Sequence, residues 1–552
     1  MRRLTLAITA LIVVLVVAIG AIAVVMAGRG GNETAAPAGQ GTTPRPGSTP
    51  RAAQPRASGE LRLLGDDPPT LDPHLATDVA SATYITEIFG GLVTIDKDLK
   101  IIPDIAERWE ASPDGMVYTF FLRRDVTFHS NRGVTAQDFK FSIERAAEPR
   151  TLSPTAAEYL GDIVGVKDKL NGRAREVRGV EVIADYTLRI TIDAPKPYFL
   201  AKLTYPTAFV VDREQVERNP RWTLSPNGTG PFRLLRFRPG ERIELVRNPR
   251  YHLGAPALEK VTFLLAGGSA MTMYENNEID VTGVSLLDIE RVQDPREALN
   301  KEYKQAPSLD TFYIGFNVRQ APFDDLKVRQ ALAMAIDKKA LVETVFKKAV
   351  VEAKGVLPPG MPGYNPNLQG ATYDPARARQ LLQESRYWGR PDLNNLTLYL
   401  SGQGPDPGLG TQAILKMWED NLGLKVNIQQ AEFGTFLQDL HRGRYSFFEL
   451  GWIADYVDPE DFLDLKFYGQ SKQNETQYDN PQVNRLLEQA RIEQDPQKRY
   501  SLYQQVEQII VNDVAWIPLF HSRSHALIKP YVKDYPLTPM AIPRLRYVRI
   551  EK

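Results

Sequence analysis

Apolar residues recur along this chain in two distinct periods. Short runs rich in aromatic and β-branched residues predict strands at Met116–Leu122, Thr187–Ile192, Arg242–Val246, Val261–Leu265, Asp310–Asn317, Leu396–Leu400, Leu424–Gln429 and Tyr445–Trp452. Helix starts are marked by capping chemistry. Thr135-Ala136-Gln137-Asp138 reads as a capping box that opens a helix running through Ala147. Asp374-Pro375, Asn480-Pro481 and Asp495-Pro496 each set an N-cap residue before a proline at the first helical position. The segment Lys327 to Lys347 carries Val328, Leu332, Ile336, Val342 and Phe346 at helical spacing and predicts the longest amphipathic helix. Alternation of the two periods between many Pro and Gly breaks, with no internal repeat, predicts a mixed α/β protein of more than one lobe.

The first 59 residues follow a different pattern. Arg2 and Arg3 precede an unbroken apolar run, Leu4 to Ala27, long enough to cross a bilayer as a helix. Basic residues ahead of it favour a cytoplasmic N-terminus and an exported body. The small residues closing Val25-Met26-Ala27 leave cleaved signal and uncleaved anchor equally open, so residues 1–27 are expected to be one or the other. Residues 28–59, rich in Gly, Ala, Thr and Pro, predict a disordered tether. An anchor, a tether and a large body suit a membrane-held receptor and a surface enzyme alike.

Composition narrows the function classes. The 552 residues hold 67 Lys plus Arg against 67 Asp plus Glu, and no basic stripe interleaved with aromatics, so nucleic acid is not an expected partner. The absence of cysteine rules out disulfides, thiol nucleophiles and lipid attachment through an N-terminal Cys. No G-x-S-x-G, H-E-x-x-H or P-loop motif occurs. His521 and His525 have the i, i+4 spacing of a helical metal pair, but Pro518 and the strand-like Ala526–Ile528 argue against a helix there. The loop Gly402–Gly408 sits between a strand and a helix-like run, Thr411–Asp420, as nucleotide loops do. Its spacing is not G-x-G-x-x-G, and two prolines remove amide donors. No catalytic residue, metal or cofactor is therefore expected, and the chain reads as a non-enzyme. The most informative stretch is Glu449 to Leu463, where a strand runs through Gly451-Trp452 into a turn carrying several acids among aromatics. It reads either as a solvated acidic turn or as a carboxylate placed to pair with a cationic group in a semi-enclosed cleft.

From about residue 60 to 550 the sequence resembles the solute-binding proteins of peptide and nickel ABC importers, in their oligopeptide- and dipeptide-binding branch. The blocks that carry the likeness come in order. They include Thr70-Leu71-Asp72-Pro73-His74, Ile88-Phe89-Gly90-Gly91-Leu92, Pro103-Asp104-Ile105-Ala106-Glu107-Arg108-Trp109, Gly228-Thr229-Gly230-Pro231-Phe232 and Gly451-Trp452-Ile453-Ala454-Asp455-Tyr456. The resemblance implies a periplasmic-binding-protein-like α/β fold (class II, cluster C). Its two hinged lobes would be lobe I at 60–89, 206–307 and 523–552 and lobe II at 308–522, with an extra domain at 90–205 inserted in lobe I. It implies an extracytoplasmic, monomeric receptor that closes on a peptide and delivers it to ABC-importer permease subunits. In this branch the acid of the Gly-Trp-x-x-Asp block pairs with the peptide's ammonium group, a role that falls on Asp455. Trp452 and Phe433 would line side-chain pockets, and backbone at Gly451 and Ile453, facing Thr77 and Val79, would pair with the peptide main chain. The chain departs from the pattern at the ligand's carboxylate. Thr344, Leu440 and Glu449 stand where basic anchors are expected, leaving His441, Arg442, Arg444 or the Gly402–Gly408 amides as substitutes, and Glu449 would make the site more acidic. The departure leaves open a receptor for another solute, such as an oligosaccharide, metal chelate or cationic metabolite; a tethered hydrolase is the remote alternative.

Overall fold

The computed structural model describes residues 59–402, 406–540, 542 and 544–551. The apolar run Leu4 to Ala27, the tether and part of the Gly402–Gly408 loop lie outside them. Among the described residues no helix is long and apolar enough to cross a membrane.

One twelve-stranded sheet runs through the molecule. Four strands position the site: β1 (Glu60–Leu64), β2 (Asp310–Phe316), β3 (Phe447–Ile453) and β4 (Trp516–Ile528). The thirteen-residue β4 is the seam. Its first half pairs antiparallel with β2 (Gly315 opposite Trp516), and its second half pairs with Tyr303–Pro307 and with Val281–Gly283. From there the sheet continues into β1, which pairs in parallel with Lys260–Leu264. Two chain segments, 303–316 and 516–528, thus carry the sheet from one half of the molecule to the other.

Alternation along β2 and β3 sorts their side chains between two cores. Ile314, Phe316 and Phe447 join Leu398 and Trp418 on one face, while Tyr313, Phe448 and Leu450 join Tyr503 and Trp516 on the other. A separate four-stranded antiparallel sheet between Ala106 and Thr191 packs its own core, with Phe120, Leu188 and Ile190 fully buried against Phe139. Phe139 belongs to the helix Ala136–Ala146, which does begin in a capping box of Thr135 and Asp138. The caps at Asp374, Asn480 and Asp495 likewise accept backbone N–H groups from their first turns.

Two expectations need correction. The segment Lys327 to Lys347 is not one helix. Leu326–Met334 ends, Asp337 accepts from the Ala340 N–H at 2.9 Å and caps a new short turn, and a wide turn spans Leu341–Val345. Asp337 competes for the backbone in a way that apolar spacing does not register. Val342 and Phe346 are consequently only half-buried. Among the described helices the longest is Pro496–Asp513, with 18 residues. The strand predicted at Leu424–Gln429 is shifted to Asn427–Ala431, because Gly423, at φ +71°, ends the helix Leu409–Leu422 and Leu424 is drawn back to the Trp418 carbonyl. His521 and His525 both lie on β4, where four residues span about 13 Å, too far to share an ion. His521 Nδ1 instead sits 2.9 Å from the Asp310 carbonyl, and His525 Nδ1 sits 2.6 Å from the Tyr303 hydroxyl.

Candidate functional site

A cavity of about 430 Å³ lies where three parts of the chain meet: the start of α1 (Val79–Ile88), the segments 154–159 and 204–206, and the end of β3 with the helices α2 (Phe433–His441) and α3 (Glu460–Phe467). Residues near the C-terminus, including Arg544, close one side. Thr77, Val79, Phe433, Gly451, Trp452, Ile453 and Asp455 all line it.

The wall at β3 is an open strand edge. On one side β3 pairs with β2 along its whole length, Phe316 opposite Phe447 through Asp310 opposite Ile453. The Ala454 N–H continues that ladder to the Leu309 carbonyl at 2.8 Å. Antiparallel strands alternate which residues bond to a given neighbour, so Gly451 and Ile453 present their N–H and C=O groups to the other edge. On that edge, among the described residues, strand pairing stops at Tyr399 opposite Phe448. Gly451 is required here, since a Cβ would stand 2.9 Å from the Phe312 ring.

Beyond the strand, the acids of the turn divide sharply. Asp458 is taken by Arg499 in a two-point ion pair at 2.6 and 2.7 Å. Glu460 bonds to the Tyr456 hydroxyl and faces Lys202 at 4.0 Å. Asp461, fully buried, accepts from the Asp455 N–H at 3.2 Å and from Trp452 Nε1 at 3.3 Å. Burial pushes the Asp461 carboxyl well up, and the charges of Asp455 and Glu460 push it further. Only Asp455 faces the cavity. Its neighbour is the Tyr159 hydroxyl, which donates to it, and Tyr159 in turn stacks on Tyr205 with ring centres 3.7 Å apart. Burial raises the Asp455 carboxyl to about 6; the Tyr159 hydrogen bond opposes this, Glu158 adds to it, and Lys466 draws it back. The result is a carboxylate held in a half-dry wall without a cation bonded to it among the described residues.

Trp452 is fixed from two sides. Asp461 holds its ring N–H, and Lys466 Nζ lies 4.2 Å from the ring centre. Lys466 is itself bound to Glu475 at 2.6 Å, both buried. Burial alone would raise Glu475, but Lys466 and then His441 overcome it and hold the carboxyl low. The indole therefore stands as a rigid wall rather than a swinging side chain.

At the carboxylate-anchor positions, Leu440 is packed in the core, Thr344 is exposed in the turn after Asp337, and neither lines the cavity. Glu449 points to the opposite face of β3 from Trp452 and meets Thr411 Oγ1, which lies 2.9 and 3.2 Å from its two oxygens. It does not line the cavity, so the expectation that it acidifies the site is corrected: its carboxylate is engaged by Thr411 on the helix Leu409–Leu422. His441 is on the wall, whereas Arg444 is paired with Asp439 at 2.6 Å. Tyr159, Tyr205, Lys466 and Arg544 were not singled out by the sequence. Tyr159, Tyr205 and Arg544 come from distant stretches of chain, Lys466 comes from the helix α3 just after the turn, and no local motif marks any of them.

A sheet handed across two strands, and a cleft with an open strand edge running into the Asp455 carboxylate between the parts it joins, define a periplasmic-type solute-binding protein. The chain belongs to the bacterial extracellular solute-binding proteins of family 5, whose model matches residues 100–474. It is 31% identical to the periplasmic oligopeptide-binding protein OppA of Escherichia coli over 490 residues, covering 86% of this chain and 89% of that one. Its structure is similar to that of the Escherichia coli murein tripeptide binding protein MppA, with a TM-score of 0.77 at 29% identity, covering 90% of this chain and 99% of that one. It is also similar to Haemophilus influenzae OppA in complex with RPPGFSPFR, with a TM-score of 0.74 at 25% identity, covering 90% and 100%.

Proposed function

We propose that this chain is an extracytoplasmic receptor that captures peptides and hands them to the permease of an ABC importer, without chemical turnover. The observation that carries the reading is the open edge at Gly451 and Ile453 running directly into the Asp455 carboxylate. A peptide's main chain would add as a strand to that edge, and its α-ammonium would meet Asp455; Trp452 and Phe433 would bound side-chain pockets. Backbone bonding takes any sequence, while the carboxylate selects a free N-terminus. The names of the relatives, which bind oligopeptides or a murein tripeptide, agree with this reading. Residues 60–89, 206–307 and 523–552 would move as one lobe, 308–522 as the other, and 90–205 as an extra domain riding on the first. Hinging would occur where 303–316 and 516–528 cross. We place the receptor outside the cytoplasm, in line with the periplasmic relatives, and read it as a monomer.

Mass spectrometry of small molecules carried through purification tests this. Peptides with free N-termini are expected. A retained oligosaccharide, metal chelate or non-peptide cation would replace the peptide reading with one of those.

A further inference from the structure

The extra domain, 90–205, touches lobe II as well as the lobe that carries it. Its four-stranded sheet shares no strand with the twelve-stranded one, and the chain passes from it into lobe I before reaching lobe II. Even so, Leu99 packs against the core of Tyr503 and Trp516, and a Cβ on Gly115 would stand 3.6 Å from Gln494 Oε1. A third contact is buried on both sides. Tyr159, Tyr198 and Lys202 come to it from the extra domain, and Tyr456, Glu460 and Arg499 from lobe II. The Tyr159 ring meets Tyr456 edge-on, with centres 6.2 Å apart, and the Arg499 guanidinium lies 5.6 Å from the centre of the Tyr198 ring.

Charge at this contact is unevenly supplied. Asp458 is held by Arg499 and Asp464 by Arg491 at 2.7 Å, and both arginines stand on lobe II helices. Glu460, between those acids in sequence, has no such partner; among the described residues Lys202 is the one cation paired with it, at 4.0 Å. Lys202 ends the helical turn Phe199–Lys202, whose Phe199 is anchored beside Phe120 and Leu188 in the extra domain's core. There Lys202 already meets Asp162 at 3.2 Å and Glu158 at 3.7 Å, and Lys196 gives Asp162 a second cation at 2.5 Å. The ammonium is thus placed by its own domain, whereas Glu460 depends on the domain opposite. Burial alone would lower Lys202, but Glu460, then Asp162 and Glu158, more than reverse that. Burial raises the Glu460 carboxyl to about 8, and Lys202 is the chief group opposing it; Asp464 and Glu158 add to the rise and the Tyr456 hydroxyl restrains it.

We propose that the extra domain is the clasp of the shut receptor, its Lys202 supplying the counter-charge that lets Glu460 of lobe II be buried on closure. This rests on the hinging of the two lobes proposed above. A buried ion pair returned to water regains the hydration of both ions, so the pair adds little pull of its own. Loss of the ammonium is another matter, because closure would then bury a carboxyl beside Glu158 with no cation to meet it. The clasp therefore decides whether the shut arrangement is permitted. It also borders the ligand site, since Tyr159, whose ring meets Tyr456, donates its hydroxyl to Asp455.

Calorimetry and small-angle X-ray scattering with alanine peptides of two to six residues decide the matter. The unaltered protein should contract as it binds. Lys202→Met should bind about ten- to a hundredfold more weakly, with contraction shifted to the same higher peptide concentrations and the radius of the free form unchanged. Adding Glu460→Gln to Lys202→Met should restore much of the affinity, because no carboxylate is then buried alone. Lys196→Met, which removes the other cation of Asp162 within the extra domain, should bind as the unaltered protein does. Undiminished affinity in Lys202→Met, no recovery in the double variant, or an equal loss in Lys196→Met would overturn the clasp while leaving the hinged receptor intact. Binding without contraction of the unaltered protein would overturn the hinging and the clasp with it, and failure of every peptide would overturn the peptide reading and the clasp together. Should Lys202→Met not fold, Glu460→Lys sets a second ammonium against Lys202 from the lobe II side, and undiminished affinity there would overturn the clasp.

Discussion

Asp455 and Asp458 stand three residues apart on one turn, yet they lie in two differently built regions. Asp458 is locked into the interior by both nitrogens of Arg499, whose Nη2 also reaches the Tyr503 hydroxyl at 3.1 Å. Asp455 faces the cavity with a tyrosine hydroxyl for company and, among the described residues, no bonded cation. Residue type and sequence neighbourhood are nearly the same. What separates a structural acid from a binding acid here is whether the fold supplies the counter-charge or leaves that to a ligand.

The comparison can be broken most forcefully on the structural side. Asp458→Ala strands the Arg499 guanidinium in the interior and should cost about 3–5 kcal/mol in urea unfolding. A small loss would mean that the pair is no more structural than Asp455. Next, Gly451→Ala drives a methyl into Phe312 and should cost about 1–3 kcal/mol, with peptide binding weakened because the open edge shifts. Circular dichroism melting and calorimetry read both effects.

The pH dependence sharpens the contrast. With its folded value raised to about 6 from about 3.9 in the unfolded chain, Asp455 contributes stability present below pH 4 and lost as pH rises through 6. Peptide binding runs the other way, because the ammonium needs the ionised carboxylate. Affinity should fall by about tenfold per unit below pH 6, and Asp455→Asn should flatten that slope. The smallest effect belongs to the far face of β3. Thr411→Val removes the hydroxyl beside Glu449 and should cost about 0.5–1.5 kcal/mol of stability with peptide affinity unchanged. A change in affinity would return Glu449 to the site.

Much of this was legible in the residues. Strands β2 and β3 follow from their aromatic and β-branched runs, and helix caps such as Asp495 from side-chain chemistry that acts within four residues. The Glu449–Leu463 stretch was recognisable as acids among aromatics, but which acid faces the cavity was not. That depends on Arg499, Lys202 and Lys466, which reach the turn from other helices and loops. Strand alternation sets Glu449 and Trp452 on opposite faces, but Gly451 and Ile453 share the face of Glu449 and still line the cavity, so it is Thr411, from a distant helix, that takes Glu449 away. Arg544 and Tyr159 could not be found this way, because long-range packing alone brings them to the wall.

The central claim is that Asp455 waits for a ligand's ammonium group. Its most direct test is a calorimetric cycle with one peptide, free or acetylated at its N-terminus, against the unaltered protein and Asp455→Asn. The account predicts that acetylation and Asp455→Asn each weaken binding by about ten- to a hundredfold, and that together they cost scarcely more than either alone. Fully additive losses, or an acetylated peptide that binds the unaltered protein as well as the free one, would contradict it.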